Sequence, residues 1–190
     1  MFCSRNRSNP RQSAGEHATR SDFQRIFSED MAGLHLLAYL LTADHQLAEQ
    51  VFVGGLEDAI HGNPVFRQWA RSWSQRAIVK RAIKAVAPSL KESHNVPLRM
   101  DPQAGNEELD ALARRMANLS TFQRFVFVLS VLEGYSNMEC AALLSCAPAD
   151  VIAVKADALR SLAAFDKEQP EISQPLISRW KSLFTPAQFS

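Results

Sequence analysis

Between Phe122 and Leu162 two apolar runs at helical spacing are interrupted by Glu133-Gly134-Tyr135-Ser136 and by Ser145-Cys146-Ala147-Pro148. That order of helix, break, short helix, corner and final helix predicts a helix-turn-helix, a unit that lays one helix across another and can present side chains to a DNA major groove. Phe122, Phe125, Val126, Leu129 and Leu132 fall on one helical face and predict its buried stripe. Gly134 ends that helix, and Ser136 with Glu139 forms the Ser-x-x-Glu pattern of a capping box at the next helix start. Met138, Ala141, Ala142 and Leu144 give the short helix a face of mostly small residues. In the last helix, expected from Ala149, Val151, Val154, Ala158 and Leu162 make an inward seam, which leaves Ile152, Lys155, Ala156, Leu159 and Arg160 outward.

The outward set is poor in the side chains that read bases. Lys155 and Arg160 are its cations, opposed by Asp150 and Asp157, and the whole stretch from Glu108 to Phe165 is close to neutral. Phosphate attraction there is weak, so charge leaves DNA contact and docking on protein equally open for this module.

Beta-branched alternation is scarce and apolar residues recur at helical spacing through most of the chain, which predicts an all-α fold of two small helical domains. A length of 190 residues with 46% hydrophobic content is enough for two such cores. The net charge of +1 means that any nucleic-acid surface is local. Cys3, Cys140 and Cys146 lack C-x-x-C spacing and do not pair with the histidines at a metal-site spacing, so they read as core thiols of a reducing, cytoplasmic compartment, with no metal. The stretch 1–21 mixes Arg5, Arg7, Arg11 and Arg20 with polar residues and reads as a disordered basic arm, and no apolar run is long enough to span a membrane.

In the first half, Phe23, Ile26, Phe27, Leu34, Leu37 and Leu41 trace one helical stripe weakened by Gly33. Thr42-Ala43-Asp44 caps a second helix carrying Leu47, Ala48, Val51, Phe52, Leu56 and Ile60, with Gly54-Gly55 as a weak point costing about 1 kcal/mol per glycine. Gly62-Asn63-Pro64 is a turn, and a third helix is expected over Val65 to Val86. That helix carries Arg67, Arg71, Arg76, Lys80, Arg81 and Lys84 without an intervening acid, alongside Trp69 and Trp73. Cations that follow phosphates beside indoles that stack on bases suit unpaired DNA, at about 1–3 kcal/mol per stacked base. The competing reading buries Phe66, Trp69, Trp73 and Ala77 as an ordinary core stripe.

Taken together, residues 22–165 resemble an extracytoplasmic-function-type bacterial sigma factor of the sigma-70 superfamily. The resemblance rests on Leu41-Thr42-Ala43-Asp44 through Phe52, on Phe66 through Ile83, and on Leu119 through Leu144, where Gly134-Tyr135-Ser136-Asn137-Met138-Glu139-Cys140-Ala141 fits the pattern Gly-x-Ser-x-x-Glu-x-Ala. It implies a region-2-like domain over 22–86, a linker over 87–106, a region-4-like helix-turn-helix domain over 107–165 and a tail over 166–190. It implies core RNA polymerase and promoter DNA as partners, leaves room for an anti-sigma factor, and implies no cofactor, no membrane and no small-molecule substrate. Polymerase contact would fall to Leu47, Glu49, Gln50 and Phe52. DNA contact would fall to Arg67, Trp69, Arg71, Trp73, Arg76, Lys80, Arg81 and Lys84 in the first domain and to Ile152, Lys155 and Arg160 in the second.

The chain departs from the family in three places. Gln46-Leu47-Ala48-Glu49-Gln50 replaces a more acidic run, Asp157 stands where the recognition helix of the family has an arginine, and Arg71 to Arg76 lacks the usual Asn and Asp-x-x-Arg. These departures keep a second reading open, a sigma-like regulatory or protein-interaction module that has lost upstream promoter reading. No glycine-rich phosphate loop, His-Glu-x-x-His or nucleophile elbow is present, and an enzyme is not expected.

Overall fold

The computed structural model describes residues 16–91, 115–116 and 118–168. The N-terminal arm to residue 15, most of the expected linker, and the tail from residue 169 lie outside the described residues. The fold is all-α. Among the described residues it has seven α-helices: α1 (Arg20–Glu29), α2 (Met31–Thr42), α3 (His45–His61), α4 (Ala70–Lys91), α5 (Thr121–Phe127), α6 (Asn137–Leu144) and α7 (Pro148–Glu168).

The stripe expected as one helix over Phe23 to Leu41 is broken at Asp30, which leaves helical geometry and serves as both the end of α1 and the start of α2. The break lies before Gly33, and no sequence breaker marks it. Arg71 reaches across from α4 to bond the Asp30 carboxylate at 2.9 Å, so a contact 41 residues away occupies the side chain at the bend. Both helices still bury the expected residues, Phe23, Ile26 and Phe27 on α1 and Leu34, Leu37 and Leu41 on α2.

Ala43 ends α2 in the left-handed region at φ 61°, a conformation that costs an L-residue about 1–2 kcal/mol. It turns the chain so that Asp44 caps α3, its Oδ1 accepting from the Leu47 N–H at 2.8 Å. Gly54 and Gly55 in α3 then let α4 lie close: a Cβ on Gly55 would stand 2.5 Å from Ile78 Cδ1, and one on Gly54 would stand 2.2 Å from Arg81 Nε. The propensity lost by two glycines is the condition for that approach.

The helix expected from Val65 starts later. Arg67–Trp69 forms a short 3-10 turn, and α4 begins at Ala70 and runs through Lys91, into the stretch expected as linker. The turn is held from outside: the Ala18 N–H donates to Val65 O and the Arg67 N–H to Glu16 O, each at 2.8 Å, and the His17 ring stacks on Phe66 at 5.0 Å.

In the second half, Ser120 caps α5 in a capping box with Gln123. The apolar run then continues as a π-helical segment, Val128–Leu132, rather than as α-helix. Ser130 Oγ bonds back to Val126 O at 2.7 Å, and the Glu133 N–H reaches Val128 O, five residues back, at 2.9 Å. Gly134 at φ 73° closes the segment. The Ser136–Glu139 capping box is present as expected, and α7 starts at Pro148 with Val151, Ala158 and Leu162 buried. Cys140 is buried and Cys146 half-buried; both are free thiols whose pKa burial pushes up, as core thiols require.

Helices α2, α3 and α4 pack on one another, α5 and α6 each pack on α7, the π segment touches both α5 and α6, and α5 also packs on α2 and α4. The described core is therefore continuous across the chain, with Leu37, Leu40 and Leu41 in the same cluster as Phe125, Phe127 and Leu129.

Candidate nucleic-acid interface

The 3-10 turn and the first turns of α4 carry the residues expected to meet DNA. Trp69 is 56% exposed and Phe66 40% exposed, their rings edge to face at 5.2 Å, so the core reading of this stripe fails at its first two members. Trp73, one turn further, is half-buried and takes the Lys80 ammonium over its ring at 5.6 Å. Ser74, Ala77 and Ile78 face inward.

The six cations that looked uncompensated in sequence divide in space. Arg67 pairs with Asp22 at 3.3 Å, Arg71 with Asp30 at 2.9 Å, and Arg81 with Asp58 at 3.6 Å and Glu57 at 3.8 Å. These acids come from α1, α3 and the bend before α2, which no local charge count along α4 could reveal. Among the described residues, Arg76, Lys80 and Lys84 form no ion pair with an acid, and they line a cleft with Trp73, Ala77, His61, Gly62, Asn63 and Asp58. These three residues stand four apart along α4 and so share one surface.

A second cleft, of about 330 Å³, joins Trp69, Ser72, Trp73, Gln75 and Arg76 to Glu133, Gly134, Tyr135 and Glu139. The junction between the π segment and α6 thus faces the start of α4. Burial, reinforced by the charge of Asp30, pushes the Glu133 carboxyl up to about 7, and burial pushes the Tyr135 phenol up to about 12. Glu139 is held below the ordinary carboxylate range by its bonds from Ser136, with Arg76 contributing.

On α7 the outward residues are placed as expected, but their chemistry is apolar. Ile152 is 56% exposed and Leu159 40%, Arg160 is paired with Asp157 on its own helix, and Lys155 is half-buried. Of the residues assigned to polymerase contact, Glu49 and Gln50 are exposed, Leu47 is half-buried, and Phe52 packs edge-on against Phe27 at 5.2 Å. Phe52 thus belongs to the packing of α3 on α1. Sequence reasoning missed Arg124, which is buried at 1% exposure with Nε and Nη1 lacking hydrogen-bond partners. An arginine two residues after Phe122, beside a buried stripe, was its one local signal.

No family model matches the chain, and no curated protein matches it. Among solved structures, it is similar to the sigma factor RpoE of Bartonella quintana in complex with the anti-sigma factor NepR, at 18% identity over 78% of this chain and 99% of that one, with a TM-score of 0.45. Among the described residues, no helix is long and apolar enough to cross a membrane.

Proposed function

We propose that the protein is a sigma-like transcription initiation factor that binds core RNA polymerase and holds promoter DNA, opened into single strands, along the first turns of α4. The observation that carries this reading is the exposed Trp69 beside the Trp73–Lys80 pair, with Arg76 and Lys84 on the same helix. Exposed indoles accept unstacked bases, and the cations follow the backbone between them. The sequence motifs from Leu119 to Leu144, and the helices α5, α6 and α7 that follow one another there, support the same reading. In this account α7 contributes little to DNA affinity, because its outward face offers Ile152 and Leu159 with one cation already paired.

That apolar face favours a second reading, in which α7 docks on a regulatory protein and upstream promoter contact has been lost. The two readings part in one experiment. The purified protein is mixed with core RNA polymerase, and transcription is followed from a pool of promoter fragments. The first reading expects specific initiated transcripts, reduced by Trp69→Ala. Polymerase binding without transcripts would favour the second, and absence of polymerase binding would overturn both.

A further inference from the structure

The C-terminal end of α2, the start of α3, the end of α4 and the start of α5 enclose a cleft of about 330 Å³, lined by Thr42, Asp44, Gln46, Leu47, Gln50, Ala85, Val86, Thr121 and Arg124. At its α5 side lie two buried groups without partners, the Arg124 guanidinium at Nε and Nη1 and the Thr121 hydroxyl. They are three residues apart on one helix and so share a face. Burial pulls the Arg124 pKa down to about 10, which leaves it charged at neutral pH, and its electrostatic neighbour is the Tyr39 ring rather than a carboxylate. A buried charge without an acceptor is among the most costly arrangements a fold can retain. Natural structures keep such groups where something else completes them.

We propose that this cleft is a binding site for a single carboxylate, received by Arg124 and Thr121 with the Gln46 and Gln50 amides at its mouth. Arg124 supplies one positive charge, which one carboxylate matches. Asp44, whose Oδ1 caps α3, lines the same cleft, so the site favours the anion of lowest charge over a phosphate dianion. The carbon wall of Leu47, Ala85 and Val86 suits a short aliphatic stem behind the carboxyl group. Two sources carry that chemistry, a free small carboxylic acid and a Glu side chain of a partner polypeptide. The proposal stands on the cleft itself and does not depend on the transcriptional reading.

The test uses the full chain at constant ionic strength. Sodium propionate and the capped tripeptide acetyl-Ala-Glu-Ala-amide are titrated separately, with sodium chloride and inorganic phosphate as controls. Thermal unfolding and the Arg124 Nε–H resonance are the readouts. Either carboxylate should raise Tm by several degrees and shift the Nε–H resonance, while chloride and phosphate do neither. A tripeptide that binds tenfold or more tightly than propionate assigns the site to a partner side chain; comparable affinities assign it to a free acid. Arg124→Met should abolish the response and leave the ligand-free protein as stable as before or more so, since an apolar side chain of similar volume replaces an unpaired charge. If that variant does not fold, Thr121→Val gives the same reading as a several-fold loss of affinity. No response to either carboxylate, or an equal response in the variants, would overturn the proposal.

Discussion

Trp69 and Trp73 are one helical turn apart and meet different surroundings: the first stands out beside Phe66, and the second lies half-buried under Lys80. If Trp69 stacks on a base, Trp69→Ala should weaken binding of a short single-stranded oligonucleotide by about 1–3 kcal/mol without lowering Tm, as measured by anisotropy and thermal unfolding. Glu133 gives a second prediction. Its folded pKa, near 7, lies above the ordinary value of 4.5, so the folded state holds a proton that the unfolded chain has released. Its contribution to stability therefore falls as pH rises between these two values and then levels off. Unfolding free energies measured from about pH 5 to pH 8 should decline in the wild type, and Glu133→Gln should remove part of that slope. Asp30 and Tyr135 are the ionisable groups that Glu133 meets electrostatically, and Glu133→Gln removes the titration without altering either. The sequence alone could not separate these two glutamates. Glu139 was legible as a cap from its spacing to Ser136, but Glu133 owes its shift first to burial and then to Asp30, 103 residues away in the bend that closes α1.

At the level of helices, periodicity located nearly every element, while breaks that depend on distant contacts stayed hidden. The capping residues Asp44 and Ser136 were visible because capping is local chemistry, and both cap as expected. The bend at Asp30 and the delayed start of α4 were not, since Arg71 and the Glu16–Ala18 segment that meet these points come from elsewhere in the chain. The π segment was likewise invisible, because an i+3, i+4 stripe is nearly the same for α and π geometry over five residues. The paired glycines of α3 separate two effects that their sequence position merges. Gly55→Ala puts a methyl against the buried Ile78 and should cost about 1 kcal/mol net, as overpacking outweighs the helix propensity gained. Gly54→Ala meets only the Arg81 guanidinium, which can move aside from weak surface pairs, so its stability should be unchanged or higher by up to about 1 kcal/mol. Chemical denaturation of the two variants side by side checks the ordering.

Among the described residues, charge that looks continuous along α4 is sorted by tertiary structure into a side paired with acids and a side that forms no ion pair. Arg67, Arg71 and Arg81 are tied to α1, the Asp30 bend and α3, which leaves Arg76, Lys80 and Lys84 as the cationic surface. Replacing these three by alanine should flatten the salt dependence of single-strand binding by about 2 in log–log slope, near 0.7 per lost phosphate contact. The same replacement of Arg67, Arg71 and Arg81 should lower stability and change the slope less. The all-α architecture and the succession of helices from α5 to α7 were legible from spacing alone, whereas the packing of α5 on α2 and α4, which builds the cleft at Arg124, was not. Side chains such as Leu40 and Phe127 announce that they are buried, without saying against what.

The short pairing of Glu16–Ala18 with Val65–Arg67 also sets where this protein can be trimmed. A boundary at Arg20, which helix limits would suggest, removes the Thr19 cap of α1, the ring stacked on Phe66 and both backbone bonds that hold the turn before Trp69. Such a fragment would keep its core and lose the fixed orientation of the exposed Trp69 indole, so a loss of DNA binding on shortening the N-terminus would report on a misplaced tryptophan rather than on a missing basic arm.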